Sequence, residues 1–259
     1  MAKRPLILVT NDDGYNAPGI NHLIRFVRDL ADIIVVAPDS PQSGMGHAIT
    51  IDSTLEVHRL ELEGDYSGIQ AYSTSGTPAD CVKLALHEIL DRRPDLVVSG
   101  INHGANSSIN VIYSGTMSAA IEAGVEGIPA IGFSLLDYSW NANFDACKPI
   151  VQTLVTEALD KGIPSGTVLN VNIPKTDGVP VSGMKVCRQA KANWKERFDK
   201  RLSPTGKEYY WLTGEFILLD EGSDTDIAAL ENGYASIVPT QFDLTAHHAM
   251  AHINSWKIH

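Results

Sequence analysis

Residues 8–20 read LVTNDDGYNAPGI: a short apolar run, two adjacent acids, a glycine, then a proline that opens a helical pattern. Leu6–Thr10 is predicted as a buried strand, and Asn11-Asp12-Asp13-Gly14 follows at once. Neighbouring carboxylates repel each other and resist desolvation, so a chain that needs only a turn has easier solutions in Asn-Gly or Ser-Gly. An exposed Asx turn with one extra charge accommodates the same residues, and this stretch alone leaves both options open. Pro18 suits a first-turn position, and Ile20, Leu23, Ile24, Val27 and Leu30 keep helical spacing, which predicts a helix over 18–30. Strand, polar turn and helix in succession make the first unit of an alternating α/β chain.

The alternation continues outward. Strands are predicted at Ile33–Ala37, Leu96–Ser99, Ala130–Phe133 and Val168–Ile173, with a half-exposed one at Leu55–Leu62. Thr77-Pro78-Ala79-Asp80 opens a helix to about Leu90, with Thr77 as cap, Pro78 in the first turn and an acid close behind. Further helices are predicted over Gly115–Val125 and Phe144–Leu159, the latter kinked or restarted at Pro149. The pattern predicts a doubly wound, mostly parallel, Rossmann-like α/β core over residues 1–174. Residues 175–245 are rich in turns and short β-like runs such as Tyr209–Leu212 and Phe216–Leu219. They are expected to be a β-rich excursion, an oligomerisation arm that returns to the core, ahead of a tail over 246–259.

With 259 residues the chain can bury a large core. Hydrophobic content of 44% and charged content of 20% are those of a soluble globular protein. No apolar run reaches the ~18 residues of a membrane span, and the run after the basic start ends at Asn11, too short for a signal-peptide core. A cytoplasmic protein with no membrane partner is expected. Cys81, Cys147 and Cys187 are odd in number and far apart, which argues for buried small hydrophobes rather than disulfides or a thiolate zinc site. A net charge of −11 argues against stable binding to a nucleic-acid backbone. If the substrate is anionic, a bound cation can supply the local positive charge.

Ligands of a doubly wound sheet bind beyond the carboxyl ends of its strands. Asn11–Gly14 follows the first strand, Pro38–Gly46 the second, and Gly100–Asn106 the strand at Leu96–Ser99. All three turns present small or oxygen-bearing side chains at one sheet edge. Oxygen donors suit Mg²⁺, Mn²⁺ or Ca²⁺ rather than zinc or copper. A turn at Gly14 is needed to bring Asp12 and Asp13 towards one cation, because successive residues of a straight strand face opposite ways. Tyr113-Ser114-Gly115-Thr116 lies where a helix begins. Free N–H groups there, with the hydroxyls of Ser114 and Thr116, make a candidate anion site, and simple capping is the alternative. A cation site beside an anion site describes phosphoryl chemistry.

The segments NDDGYNAPGI, VVAPDSPQSGMGHAIT, SGTPADCV, PDLVVSGINHGAN, VIYSGTMSAAIEA and LNVNIP resemble, in order, the motifs of the SurE family of stationary-phase survival proteins. The resemblance runs from residue 6 to DLTAH at 243–247. It implies a divalent-metal-dependent phosphatase, a 5′-nucleotidase that releases phosphate from nucleoside 5′- and 3′-monophosphates, with polyphosphate as a further substrate of some relatives. It implies Asp12, Asp13, Ser43 and Asn102 as ligands of one cation per subunit, Mg²⁺ or Mn²⁺ with Ca²⁺ able to occupy the site. Asn106, Ser114, Gly115 and Thr116 are the phosphate contacts it implies. Either Asp12 or Asp13 could act as base towards the attacking water. His103 and Ala105 depart from the commoner residues of the GINxGxN loop, which bears on substrate preference.

Other schemes fit less well. A haloacid-dehalogenase-type D-x-D would need Asp where Asn11 stands. A phospho-receiver-like binding module also places acids after its first strand, but no convincing phosphoacceptor Asp and Lys pair follows, and the chain is about twice too long. Ser43-Gly44-Met45-Gly46 is only a partial dinucleotide fingerprint. His248 and His252 share a helical spacing, yet no carboxylate or Cys joins them, so a polar tail is expected there. Lys185–Arg201 holds seven basic residues against two acids, a solvated arm or a basic rim for phosphate-rich substrates. Met250, Ile253 and Trp256 recur at near-helical spacing. The resemblance implies a homodimer or homotetramer with exchanged carboxy-terminal segments, and Trp256 is expected as a buried anchor.

Overall fold

The structure, a computed structural model, describes residues 3–62, 66, 68–176 and 178–258. Met1 and Ala2 of the basic start and His259 of the tail lie outside the described residues. In chain order the strands are β1 (Leu6–Thr10), β2 (Asp32–Pro38), β3 (Val57–Leu60), β4 (Gln70–Thr74), β5 (Leu96–His103), β6 (Ala130–Leu135), β7 (Thr167–Ile173), β8 (Met184–Val186), β9 (Ala192–Leu202), β10 (Glu208–Leu218) and β11 (Ala235–Gln241). The helices are α1 (Pro18–Val27), α2 (Pro78–Leu84), α3 (Gly115–Val125), α4 (Lys148–Lys161), α5 (Asp226–Glu231) and α6 (His247–Asn254).

One sheet runs β3-β4-β2-β1-β5-β6-β7-β11-β8. β4, β2, β1, β5, β6 and β7 are parallel, whereas β3 on one flank and β11 on the other run antiparallel to their inner neighbours. β1 is buried throughout, as a strand covered on both faces must be. Its alternation divides the core. Ile7 and Val9 pack with Ile20, Leu23 and Ile24 of α1 and with Ile150, Val151 and Val155 of α4. Leu6 and Leu8 face the other way, onto Cys81 and Val82 of α2 and onto Met117, Ala119 and Ala120 of α3. The expected α/β layering therefore holds.

Several boundaries differ from expectation. α1 stops at Val27, where Arg28 caps it, so Leu30 lies in the following turn. The helix expected from Phe144 starts as a 3-10 turn over Asp145–Cys147, and α4 follows with Pro149 in its first turn, where a proline needs no kink. α2 carries the predicted Thr77 cap, to which the Asp80 side chain adds the reciprocal bond, and continues as a π turn over Ala85–Ile89. β4 had no counterpart in the sequence analysis.

The main sheet crosses residue 174: β11 pairs with β7 along Thr167–Asn172, and β8 pairs with β11. Of the 175–245 segment, β9 and β10 alone form a separate hairpin, in register from Ala192–Leu218 to Leu202–Glu208. Arg188 holds its base by ion pairs to Asp220 and Asp224. The fully buried Asp226 accepts the backbone N–H of Ala190 there, at 2.9 Å. Cys81, Cys147 and Cys187 are free and buried, and no helix of the described residues is long and apolar enough to cross a membrane. Among the parallel strands, chain order reverses between β1 and β5. A ligand crevice opens at such a reversal, beyond the carboxyl ends of the strands.

Candidate active site

The acid turn leaves β1 at that reversal. Asn11 ties the turn by donating Nδ2–H to the Gly14 carbonyl at 2.9 Å, and Gly14 takes a φ of +94° that other residues resist. The Asp12 carbonyl accepts the N–H of Gln42 at 2.7 Å, which draws the loop after β2, with Ser43, over the acids. β5 ends in Asn102 and His103 after a register shift against β6 beyond Ser99. From α3 come Ser114, Gly115 and Thr116. One cavity of about 200 Å³ is lined by Asp12, Ser43, Asn102, Asn106 and Ser114, five of the eight residues expected at the site. Asp13, Gly115 and Thr116 reach it through contacts with these and their neighbours.

Asp12 is nearly buried, and the Thr116 hydroxyl donates to its Oδ1 at 2.6 Å. Burial, with the Asp13 charge behind it, pushes the Asp12 carboxyl up to about 6, against the lowering pull of the Thr116 hydroxyl and N–H. Gly115 lets the helix start close on this group: a Cβ there would stand 2.6 Å from the Asp12 Cβ. Ser114 caps α3 by accepting the Met117 N–H at 3.0 Å. Thr116, expected as a phosphate contact, thus has its hydroxyl on Asp12. Asn106 sits on a buried amide network, with Nδ2–H donated to Ser134, its N–H to Asn172 and its carbonyl accepting from Asn170.

Asp13 meets a residue that the sequence analysis assigned no role at the acids. His103 directs both its backbone N–H, at 3.3 Å, and its ring Nδ1, at 3.0 Å, to Asp13 Oδ2. Trp140 stacks on the imidazole at 5.6 Å between centroids, and Phe144 meets it edge-on at 5.1 Å. The signal available in the sequence was the departure at 103 itself. Ser108 holds the next turn: its φ of 53° is a left-handed conformation, and its N–H donates to buried Asp226 at 2.7 Å.

The donor set fits a hard cation. Thr116 occupies Asp12 Oδ1 and His103 occupies Asp13 Oδ2, so each carboxylate keeps its second oxygen clear of these bonds. Asn102 spends Nδ2–H on the Gly104 carbonyl and keeps its own carbonyl oxygen. Buried polar atoms without a partner among the described residues include Thr10 Oγ1, Asn11 Oδ1, Ser99 Oγ and His103 Nε2, at the end of β1 and along the second half of β5. Such clustering is what a site for an ion or water leaves behind. Among the described residues no three or more His, Cys, Asp or Glu are placed to hold a metal ion by themselves, so any cation here must draw on Asn and Ser as well. His248 and His252 form no such group either.

Fold and site together define a doubly wound α/β protein with an acid pair and a helix start meeting at the switch point of its sheet. Residues 7–196 match the model of the family "Survival protein SurE", and the chain belongs to that family. A relative from Christiangramia forsetii named "5'-nucleotidase SurE" is 63% identical over 256 residues, 99% of this chain and 98% of its own. The Flavobacterium psychrophilum protein of the same name is 62% identical over 255 residues, 98% of each chain. The crystal structure of the SurE protein from Aquifex aeolicus superposes with a TM-score of 0.82 at 40% identity, covering 96% of this chain and 98% of that one.

Proposed function

We propose that this chain is a 5′-nucleotidase that uses one divalent cation to release phosphate from nucleoside 5′-monophosphates. The observation that carries the proposal is the Asp12–Asp13 pair set against the first turn of α3, where oxygen donors suited to a cation and a helix start suited to an anion share one crevice. The names of the relatives support the substrate class. Asp12, Asp13, Ser43 and Asn102 would hold Mg²⁺ or Mn²⁺, with Ca²⁺ as another occupant. When bound, that ion supplies positive charge for the phosphoryl oxygens and lowers the pKa of water.

The protein supplies position. Ser114 and the start of α3 direct donors at the transferring group, with Asn106 beside them on its rigid amide network. Thr116 and His103 hold the two carboxylates so that neither must reorganise during the reaction. Either Asp12 or Asp13 can take a proton from the attacking water. Nucleoside 3′-monophosphates and short polyphosphates present the same terminal group and are further candidate substrates.

A homodimer or homotetramer is part of the same proposal. Met250 and Trp256 of the tail are each 52% exposed, and Trp211 and Leu212 of the hairpin are exposed as well. Apolar rows of this kind are suited to covering another subunit.

Phosphate release from AMP tests the main proposal. Turnover is expected to stop on exhaustive chelation and to return with Mg²⁺ or Mn²⁺. Full activity without metal would overturn the cation assignment, and release of only one equivalent per protein would favour a receiver-like module.

A further inference from the structure

Two tyrosines at the crevice have no role in the chemistry above. Tyr113 ends the 3-10 turn Ser108–Tyr113, Tyr138 lies in the loop after β6, and both line the cavity that holds Asp12 and Ser114. They are 53% and 78% exposed, although an aromatic ring gains most from burial. Tyr138 is nevertheless held: its ring packs on Gly104, where a Cβ would stand 2.3 Å from Cε1. Any other residue at 104 would push the ring away. Asn110 lines the cavity beside them. Its Oδ1 accepts the indole N–H of Trp194 at 2.8 Å, a bond that does not use its amide N–H₂.

Size sets what these rings meet. The cavity of about 200 Å³ is smaller than the ~300–1,000 Å³ of sites that enclose a whole ligand. A phosphoryl group and sugar fill it, and the rest of a nucleotide must lie at the mouth. Resting on the nucleotidase reading above, we propose that Tyr138, with Tyr113 and Asn110 beside it, is the nucleobase subsite of this enzyme. The base stacks on the exposed face of Tyr138, and Asn110 offers N–H donors to its polar edge. Stacking accepts purines and pyrimidines alike, since every base has a π face. Preference among bases then follows from stacking area and from the Asn110 contact.

The experiment compares kcat/KM for AMP with that for ribose 5-phosphate, which keeps the phosphate and sugar and lacks the base. Wild-type protein is expected to prefer AMP. In Tyr138→Ala that preference is expected to fall about tenfold, through KM, and Tyr138→Phe is expected to restore it. A preference unchanged in Tyr138→Ala, or a change in oligomeric mass with no change in preference, overturns the subsite. A wild type that cleaves both substrates equally well overturns the subsite and leaves the phosphatase proposal standing. Failure to cleave either one overturns both.

Discussion

Asp12 combines near-complete burial with a like-charged neighbour and a helix start pressed against its Cβ. Its folded pKa of about 6 lies above the ordinary 3.8, so the folded, metal-free state binds its proton more tightly than the unfolded chain does. Stability of the metal-free protein therefore falls as pH rises from about 4 to about 6, and that loss is complete above the folded pKa. The penalty at neutral pH is at most roughly 3 kcal/mol. Asp12→Asn is expected to raise the melting temperature of metal-free protein at pH 7.5, to raise it only about a third as much at pH 4.5, and to abolish turnover. Calorimetry at the two pH values checks the first pair. His103 works one step further out, through Asp13. Removing the imidazole in His103→Ala is expected to weaken Mn²⁺ binding about tenfold in calorimetric titration. Asn at 103 can place a donor near the Nδ1 position and should recover most of the loss. Equal losses in both variants would deny His103 an orienting role.

Elements were legible where their periodicity was strong and their faces unlike. α1 shows its apolar stripe, and β1 and β2 show apolar runs, because each is covered by helices. β4 is the sequence Gln-Ala-Tyr-Ser-Thr, half polar because it lies between β2 and the exposed β3, and it passed unmarked. β11 contains Pro239, a residue that argues against a strand in isolation, and β8 has three residues only. Their pairing depends on tertiary context. The same limit governs the site. Which strand ends carry oxygen donors can be read from sequence, because that follows from where strands stop. The bonds from Thr116 to Asp12 and from His103 to Asp13 span 104 and 90 residues, and no local pattern encodes them. α6 matches the helical spacing seen at Met250 and Ile253, but none of its residues is buried in the single chain. Trp256 is half exposed and touches only His252 among aromatic rings of the described residues, so its anchoring role now rests on a second subunit. Deleting residues 248–259 is expected to shift the mass measured by light scattering towards monomer. An unchanged mass would place the assembly elsewhere, with the hairpin as the next candidate.

Across the whole molecule, the fold gathers the candidate site at one edge and leaves its exposed apolar rows on the hairpin and tail. The reversal of strand order between β1 and β5 creates the crevice, and the rest of the sheet holds its walls. β11 adds a constraint of another kind. β8 pairs with no other strand of the sheet, and β11 stands between it and β7, so β8 leaves the ribosome about fifty residues before its partner exists. Synthesis runs at roughly 5–20 residues per second, and through that interval β7 presents an open row of backbone donors and acceptors. Such an edge invites pairing with another nascent chain. A chain ended at residue 232, which keeps every residue proposed for catalysis, is therefore expected to aggregate during refolding while the full chain does not, as turbidity would show. For this protein Ala235–Gln241, late in the order of synthesis, acts as a guard on the open edge of the sheet.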